Sequence, residues 1–451
     1  MLGLGLQQDI QGRHSKQSWH NGTESSTIGL VTAQNTFPWE RSSFAFLAHR
    51  PKQHINKSPG AVNSIVQSGQ YCAIASVTTG GDDIGESEIN PYNLEGSLVA
   101  LNHDEVMTTE GHSIEIQGTT NGVKRYMTVA DIQFNPLKPY ILASAGYDLC
   151  VRFWSCKSIE WGKLPQMHKL QLECSPRKLG YMPNQSLLAI GGDNGTLYLS
   201  QYKKKRDVSI TPVSRRQMIS DFSWGTGSSA GHLLATTCTS DDDELKDPTG
   251  VHKLVNAEIG KSVCTLDIAD GGHAVTINNT GNYSYIYTKG SLLRHTLWIH
   301  DMSQRNSRAC QSIQLDVQDQ TEVNAITISP DDRYIALAWK HNVIHVYDSQ
   351  YLSKGPLHVY SHGPSIAAET PYGVVKAQWV SRPSGVVDLV SGGADGCICL
   401  WDVSRANDDI RNGQILLQLD DDIGYFSLGD IHKQEMPIVV GTCGGDTFGV
   451  K

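Results

Sequence analysis

The chain has 451 residues, with 39% hydrophobic and 18% charged side chains, 43 glycines and a net charge of −9 at neutral pH. That length can bury a large core, and the glycine content suits many short strands joined by tight turns, which excludes disordered and collagen-like chains. The mild charge sets up no global field for nucleic acid or an acidic membrane surface, and no run of about 18 or more apolar residues offers a membrane span.

Residues 1–60 are polar and carry no repeat pattern, so they read as an irregular N-terminal arm, disordered in part. Its two strand-like runs are Thr27 to Asn35 and Ser43 to Arg50. No apolar leader follows Met1 and the ten cysteines show no paired spacing, which predicts an intracellular protein, cytoplasmic or nuclear, with free thiols. Sequons such as Asn21-Gly-Thr and Asn194-Gly-Thr are then chance matches.

From Val62 the pattern changes. VNSIVQSGQYCAIASVTT opens a unit whose closing strand, SLVALNHD, follows a polar insertion from Gly80 to Gly96. VADIQFNPLKP (Val129 to Pro139) and LASAGYDLCVRFW (Leu142 to Trp154) form a clear second unit. PRKLGYMPNQ (Pro176 to Gln185) and LLAIGGDNGTLYLSQY form a weaker copy that keeps Asp193 but has Ala189 and Leu199 where the previous unit has serine and tryptophan. The basic run KKKR, Lys203 to Arg206, follows a third strand and is expected on a peripheral loop, with nuclear import or phosphate binding as its less favoured readings. A further unit begins at Met218, and the acidic run SDDDELKD, Ser240 to Asp247, lacks the spacing and glycine of a calcium loop and reads as a solvated loop.

Val263 to Asp301 makes a further unit, and AITISPDDRYIALAWKHNVIHVYD (Ala325 to Asp348) another, with strict alternation at VIHVYD and a Ser-Pro-Asp-Asp turn. VVKAQWVSRPSG (Val374 to Gly385) and SGGADGCICLWD (Ser391 to Asp402) repeat the clear unit, placing Ser391, Asp395 and Trp401 at the offset of Ser144, Asp148 and Trp154. The last unit starts at Ile423 and stops before a tryptophan position. Eight candidate units at a spacing of about 45 residues fall in the window for propeller blades.

An inner strand, a Ser-Pro-like turn, Leu-Ala-Ser-x-x-x-Asp and a strand ending in Phe-Trp or Leu-Trp-Asp together resemble the WD40 repeat, over roughly residues 60 to 451. The resemblance implies an all-β fold: a single β-propeller of seven or eight four-stranded WD40-like blades (residues 61–451) preceded by the N-terminal arm (residues 1–60). Closure without a free edge needs a strand from one terminus to complete a blade begun by the other, with Thr27 to Asn35 or Ser43 to Arg50 as the expected suppliers.

In such repeats the serine, aspartate and tryptophan join a histidine from the preceding loop in a hydrogen-bonded brace. Ser144, Asp148, Trp154, Ser391, Asp395 and Trp401 are the brace residues that the resemblance implies. Tyr126 and Tyr372, not histidines, stand near the remaining position, so the bracing is expected to be partial. Cys397 and Cys399 lie two apart on one strand and face the same side; no further Cys or His pair completes a four-ligand site, and they read as small buried hydrophobes. No metal and no cofactor are expected. No nucleophile elbow and no P-loop lysine appear, so no residue is assigned a catalytic role.

The resemblance implies a non-catalytic scaffold or adaptor that docks peptides or protein domains on the propeller's narrow face, as a subunit of a larger complex. The loops leading into successive inner strands carry Lys57, Arg125, Arg177, Arg216 and Lys261, then Glu322 and Asp422 with Tyr372 between the acids. This order predicts a positive sector suited to an acidic or phosphorylated peptide. A nuclear, chromatin- or nucleic-acid-associated propeller subunit is the alternative reading, and no membrane partner is expected.

Overall fold

The strands follow the short β-branched and aromatic runs, and several are apolar on both sides: every residue of Tyr334–Trp339, YIALAW, is buried. A strand of that kind needs cover on both faces of its sheet. Packing the sheets against one another around a ring provides it.

The computed structural model describes residues 52–450 apart from 79–92, 103–104, 110, 116–123, 158–162, 202–203, 211–216, 240–247, 291–293, 305, 318–320, 367–371, 383, 408 and 410–411. It is a β-propeller of eight four-stranded blades, so of the two numbers expected it is eight. Among the described residues there is no α-helix, only three short 3-10 turns.

Blade 1 is Val62–Ser68, Tyr71–Ser76, Leu98–Asn102 and Glu105–Thr108, from the innermost strand outward. Blade 2 is Val129–Asn135, Lys138–Gly146, Cys150–Ser155 and Gln166–Gln171; blade 3 is Pro176–Tyr181, Leu188–Gly192, Thr196–Gln201 and Lys204–Ser209. Blade 4 is Gln217–Trp224, His232–Thr239, His252–Asn256 and Lys261–Thr265; blade 5 is Gly271–Ile277, Tyr283–Lys289, His295–Asp301 and Gln311–Leu315. Blade 6 is Val323–Ile328, Tyr334–Trp339, Val343–Asp348 and His358–Ser361; blade 7 is Lys376–Ser381, Val387–Gly392, Cys397–Asp402 and Gln414–Gln418. Blade 8 takes Ile423–Leu428, Ile438–Thr442 and Asp446–Val450 from the end of the chain, and its outer strand is Lys52–Lys57.

That last strand corrects the expected closure. Lys52–Lys57 pairs antiparallel with Asp446–Val450, from Lys52 opposite Val450 to Lys57 opposite Asp446. The expected suppliers, Thr27 to Asn35 and Ser43 to Arg50, lie outside the described residues, as does most of the N-terminal arm. Two other expectations change. The run from Val263 belongs to the outer strand of blade 4, and blade 5 begins at Gly271. Lys204 to Arg206, expected on a loop, opens the outer strand of blade 3 because Lys204–Ser209 continues the sheet.

Eight apolar clusters hold the ring, one at each junction between neighbouring blades, from that between blades 1 and 2 (Ala73, Leu98, Ile132, Leu142, Trp154) to that between blades 8 and 1 (Val62, Ile65, Ile74, Val439). Burial is thus distributed around the ring, and each blade buries apolar surface against both neighbours.

Because neighbouring strands are antiparallel, all inner strands start at one face, here the leading face. The connections into each next blade and the turns between second and third strands lie there. Turns between first and second strands, and between third and fourth, lie on the opposite, trailing face.

Seven of the eight inner strands share a register shift near their start, at Asn63, Ala130, Arg177, Ser220, His273, Asn324 and Gly424. The extra residue interrupts the ladder, and in three blades its side chain ties to the next blade. Asn63 Nδ2 donates to Val129 O at 2.9 Å, Ser220 Oγ to Gly272 O, and Asn324 Nδ2 to Val374 O at 3.0 Å.

Blade braces and candidate interaction faces

The brace in blade 2 is complete. Trp154 Nε1–H donates to Ser144 Oγ at 2.8 Å, Ser144 Oγ is 2.8 Å from His112 Nε2, and His112 Nδ1 is 2.6 Å from Asp148 Oδ1. Asp148 also accepts from Arg152 at 2.6 Å. Blade 7 repeats the set: Trp401 Nε1–H to Ser391 Oγ at 2.8 Å, Ser391 Oγ to His362 Nε2 at 2.8 Å, and His362 Nδ1 to Asp395 Oδ1 at 3.0 Å. Asp395 also receives the Cys397 N–H at 3.1 Å, tying down the tight turn.

Both histidines were missed by the reading of the sequence, and the expectation of partial bracing is corrected. His112 lies 32 residues before Ser144, and His362 lies 29 before Ser391. Long connections to the inner strands, one of them holding a two-stranded ribbon of Ser113–Glu115 with Lys124–Tyr126, had put tyrosines at the searched positions. The usable signal is the small residue beside each histidine, in Gly111-His112 and in His362-Gly363. A second signal is Gly146 and Gly393, where a Cβ would stand 2.1 Å and 2.4 Å from the imidazoles of His112 and His362.

Each brace holds serine, histidine and aspartate in the order of a hydrolase triad. In blade 2, however, Ser144 and His112 are fully buried and the serine oxygen already accepts the indole N–H, so no substrate reaches it. Burial lowers the His112 pKa against the pull of Asp148, which keeps the imidazole neutral and suited to accept the serine proton.

Cys397 and Cys399 are both buried in the apolar cluster between blades 6 and 7. Burial pushes the Cys399 thiol well above its ordinary pKa, so it packs as a neutral side chain. None of the ten cysteines is in a disulfide, and among the described residues no group of three or more His, Cys, Asp or Glu could hold a metal ion.

The expected positive sector is redistributed. Arg125 is half-buried in the ribbon between blades 1 and 2, and Arg177 is exposed, its guanidinium 4.6 Å from the Tyr147 ring centre and bonded to the Tyr147 hydroxyl. These two are on the leading face. Lys57 is not in a connecting loop; it ends the outer strand of blade 8 and pairs with Asp446 at 2.5 Å. Lys261 starts the outer strand of blade 4, which places it on the trailing face. Arg216 lies outside the described residues. Tyr372 is 57% exposed on the leading face. The expected acidic end is engaged internally: Glu322 bonds Lys289 at 2.9 Å and Lys340 at 2.6 Å, while buried Asp422 accepts from Ser365 and from the Ile366 N–H.

The Arg125 ribbon is anchored. Asn93 acts as a strand residue would, donating to Lys124 O at 2.8 Å and accepting from the Tyr126 N–H at 2.8 Å. Leu94 and Ile114 beside it are 49% and 42% exposed. On the trailing face a cavity of about 790 Å³ opens where the inner strands of blades 7, 8, 1 and 2 meet, lined among others by Phe134, Lys376 and Tyr425.

Three histidines, two buried and one half-buried, set an acid limit on this architecture. Burial brings His252, His300 and His345 from 6.5 to about 4. Their neutral forms are favoured only in the folded state, so unfolding takes up protons between pH 6.5 and about 4, and stability falls as pH falls through that window. Glu322 adds a lower one: against the cost of burial, the hydrogen bonds from Lys340 and Lys289 bring it from 4.5 to about 2, so its contribution is lost between those values. The melting temperature should hold from pH 8 to about 6.5 and then decline continuously. A flat profile down to pH 4 would mean that the fold does not hold these imidazoles neutral.

No protein-family model matches the chain. A curated relative, Rik1-associated factor 1 of Schizosaccharomyces pombe (strain 972 / ATCC 24843), is 22% identical over 422 residues, 88% of this chain. The chain spans 60% of that relative's length. The Dos1 propeller structure superposes with a TM-score of 0.70 at 18% identity, covering 89% of this chain and 95% of the other. The crystal structure of Chaetomium thermophilum Sqt1 bound to the N-terminus of the ribosomal protein L10 gives 0.61 at 16% identity, covering 88% and 98%. At these identities the likeness shows the fold.

Proposed function

We propose that this chain, an eight-bladed WD40-type β-propeller, works as a non-catalytic interaction scaffold that docks peptides or protein domains on its leading face within a larger complex. The observation that carries the reading is the ribbon over blades 1 and 2. It is a built, anchored projection that places exposed Leu94 and Ile114 next to Arg125, with Arg177 on Tyr147 in the adjoining blade. Exposed aliphatic side chains beside arginine and tyrosine are what interface centres are made of. Two similarities support it: a relative named for association with another factor, and a propeller of the same fold seen with the N-terminus of another protein.

Two arginines favour an acidic or phosphorylated segment over an uncharged one, since guanidinium groups meet carboxylate and phosphate with paired hydrogen bonds. The sector is too small to favour a nucleic-acid backbone, whose recognition needs many phosphate contacts and weakens steeply with salt. The test is the double reversal Arg125→Glu with Arg177→Glu, read by affinity purification against Lys261→Glu on the other face. Loss of partners with the double variant alone, in a protein that melts like the parent, is the expected result. Loss with Lys261→Glu instead would move the docking face, and retention in both would remove these arginines from the account.

A further inference from the structure

The channel holds several charged side chains on its inner strands, and nearly all are matched. Lys178 pairs with Asp221. Asp131 accepts from Ser64 Oγ at 3.0 Å and from the Leu179 N–H at 2.8 Å. At the rim of the trailing-face cavity, Glu435 accepts from the N–H groups of Gly69 and Asp430, and Lys433 pairs with Asp430 at 3.3 Å.

Lys376, on the inner strand of blade 7, is the exception. Its ammonium carries three donors. One goes to Phe426 O at 2.9 Å, and the nitrogen lies 4.5 Å from the Tyr425 ring centre. Among the described residues no carboxylate comes within ion-pairing distance of it, and Asp131 attracts it only from farther across the channel. A half-buried ammonium with one strong partner is costly unless something else supplies charge. Burial accordingly pulls its pKa to about 8.

The same cavity contains the side-chain amides of Gln133 and Gln378, which make no hydrogen bond among the described residues, and apolar walls from Phe134 and Tyr425. Its volume of about 790 Å³ is far more than one carboxylate or phosphate fills, and lies within the ordinary range for ligand sites. Two uncommitted amides, each able both to donate and to accept, match the alternating C=O and N–H of an extended backbone.

We propose that this trailing-face cavity binds an extended peptide segment through the carboxylate of an acidic side chain, with Lys376 as the cationic contact and Gln133 and Gln378 reading the peptide backbone. The site is separate from the ribbon on the leading face and does not depend on that reading. It gives the propeller a second recognition point, on the other side of the ring.

The probe is the peptide Ac-Gly-Ser-Glu-Ser-Gly-NH2 against its Gln counterpart, followed by ligand-observed NMR on the full chain at neutral pH and millimolar peptide. Saturable binding of the Glu peptide is expected, with the Gln peptide weaker by roughly tenfold or more, as loss of one charge-assisted hydrogen-bonded pair implies. Lys376→Gln should abolish the preference, while the double variant Arg125→Glu with Arg177→Glu should keep it. Because the paired peptides are compared on the unaltered protein, the test stands even if the Lys376 variant folds poorly. Absence of saturable binding, equal binding of the two peptides, or an undiminished preference in folded Lys376→Gln would each overturn the proposal.

Discussion

Trp154→Ala and Trp401→Ala are each expected to destabilise the propeller by about 3–5 kcal/mol, the range for emptying a large aromatic site in a core. Trp154 is 3% exposed and packs in the cluster joining blades 1 and 2; Trp401 is 7% exposed and stacks on Tyr360 at 4.7 Å between ring centres. Packing dominates the loss, because Ser144→Ala or Ser391→Ala, which removes a hydroxyl while leaving the indole in place, should cost only about 1 kcal/mol. His112→Ala should fall between these, since it strips a partner from a buried serine and a buried carboxylate that keeps Arg152. Trp339 is a control of another kind. It is fully buried, but its indole nitrogen has no hydrogen-bond partner among the described residues, so Trp339→Phe should be tolerated better than Trp154→Phe. Chemical denaturation of the set checks the order. A Trp154→Ala variant that unfolds at the parent's midpoint would refute the brace.

The second large effect is at closure. Deleting residues 1–51 leaves every pair between Lys52–Lys57 and Asp446–Val450 intact, so the melting temperature should stay close to the parent's. Deleting residues 1–57 removes the outer strand of blade 8 and bares the edge of Asp446–Val450, along with the bonds from Lys57 to Asp446 and Gly444. An unpaired edge of this kind templates pairing with another chain. The shorter protein should therefore melt at lower temperature and aggregate on heating, in light scattering as well as in the melt. If the two truncations behave alike, the ring is closed by something other than this strand.

Local pattern determined a good deal of this molecule. Strand-turn-strand units recur because each blade solves the same local problem: an inner strand, a hairpin and a tight turn whose glycine or asparagine adopts positive φ, as Gly195, Asn342, Gly396 and Gly445 do. The offset shared by Ser144, Asp148, Trp154 and Ser391, Asp395, Trp401 was legible for the same reason, since all three groups lie within one hairpin. Contacts between distant segments were not legible. His112 and His362 reach their serines across connections of variable length, and a periodic search passes over them because nothing local specifies how far a loop runs before it returns.

Closure shows the same division. Lys52–Lys57 completes blade 8, and which segment does so depended on register against Asp446–Val450, a partner some four hundred residues away. The surface was decided last. Lys57 and Lys261 look equivalent to Arg177 as charges preceding or opening a strand, yet strand direction sends Lys261 to the trailing face and pairing with Asp446 engages Lys57. A residue's charge is written in the sequence, whereas the face it serves and the partner that engages it are set by where antiparallel pairing and ring closure place the strand that carries it.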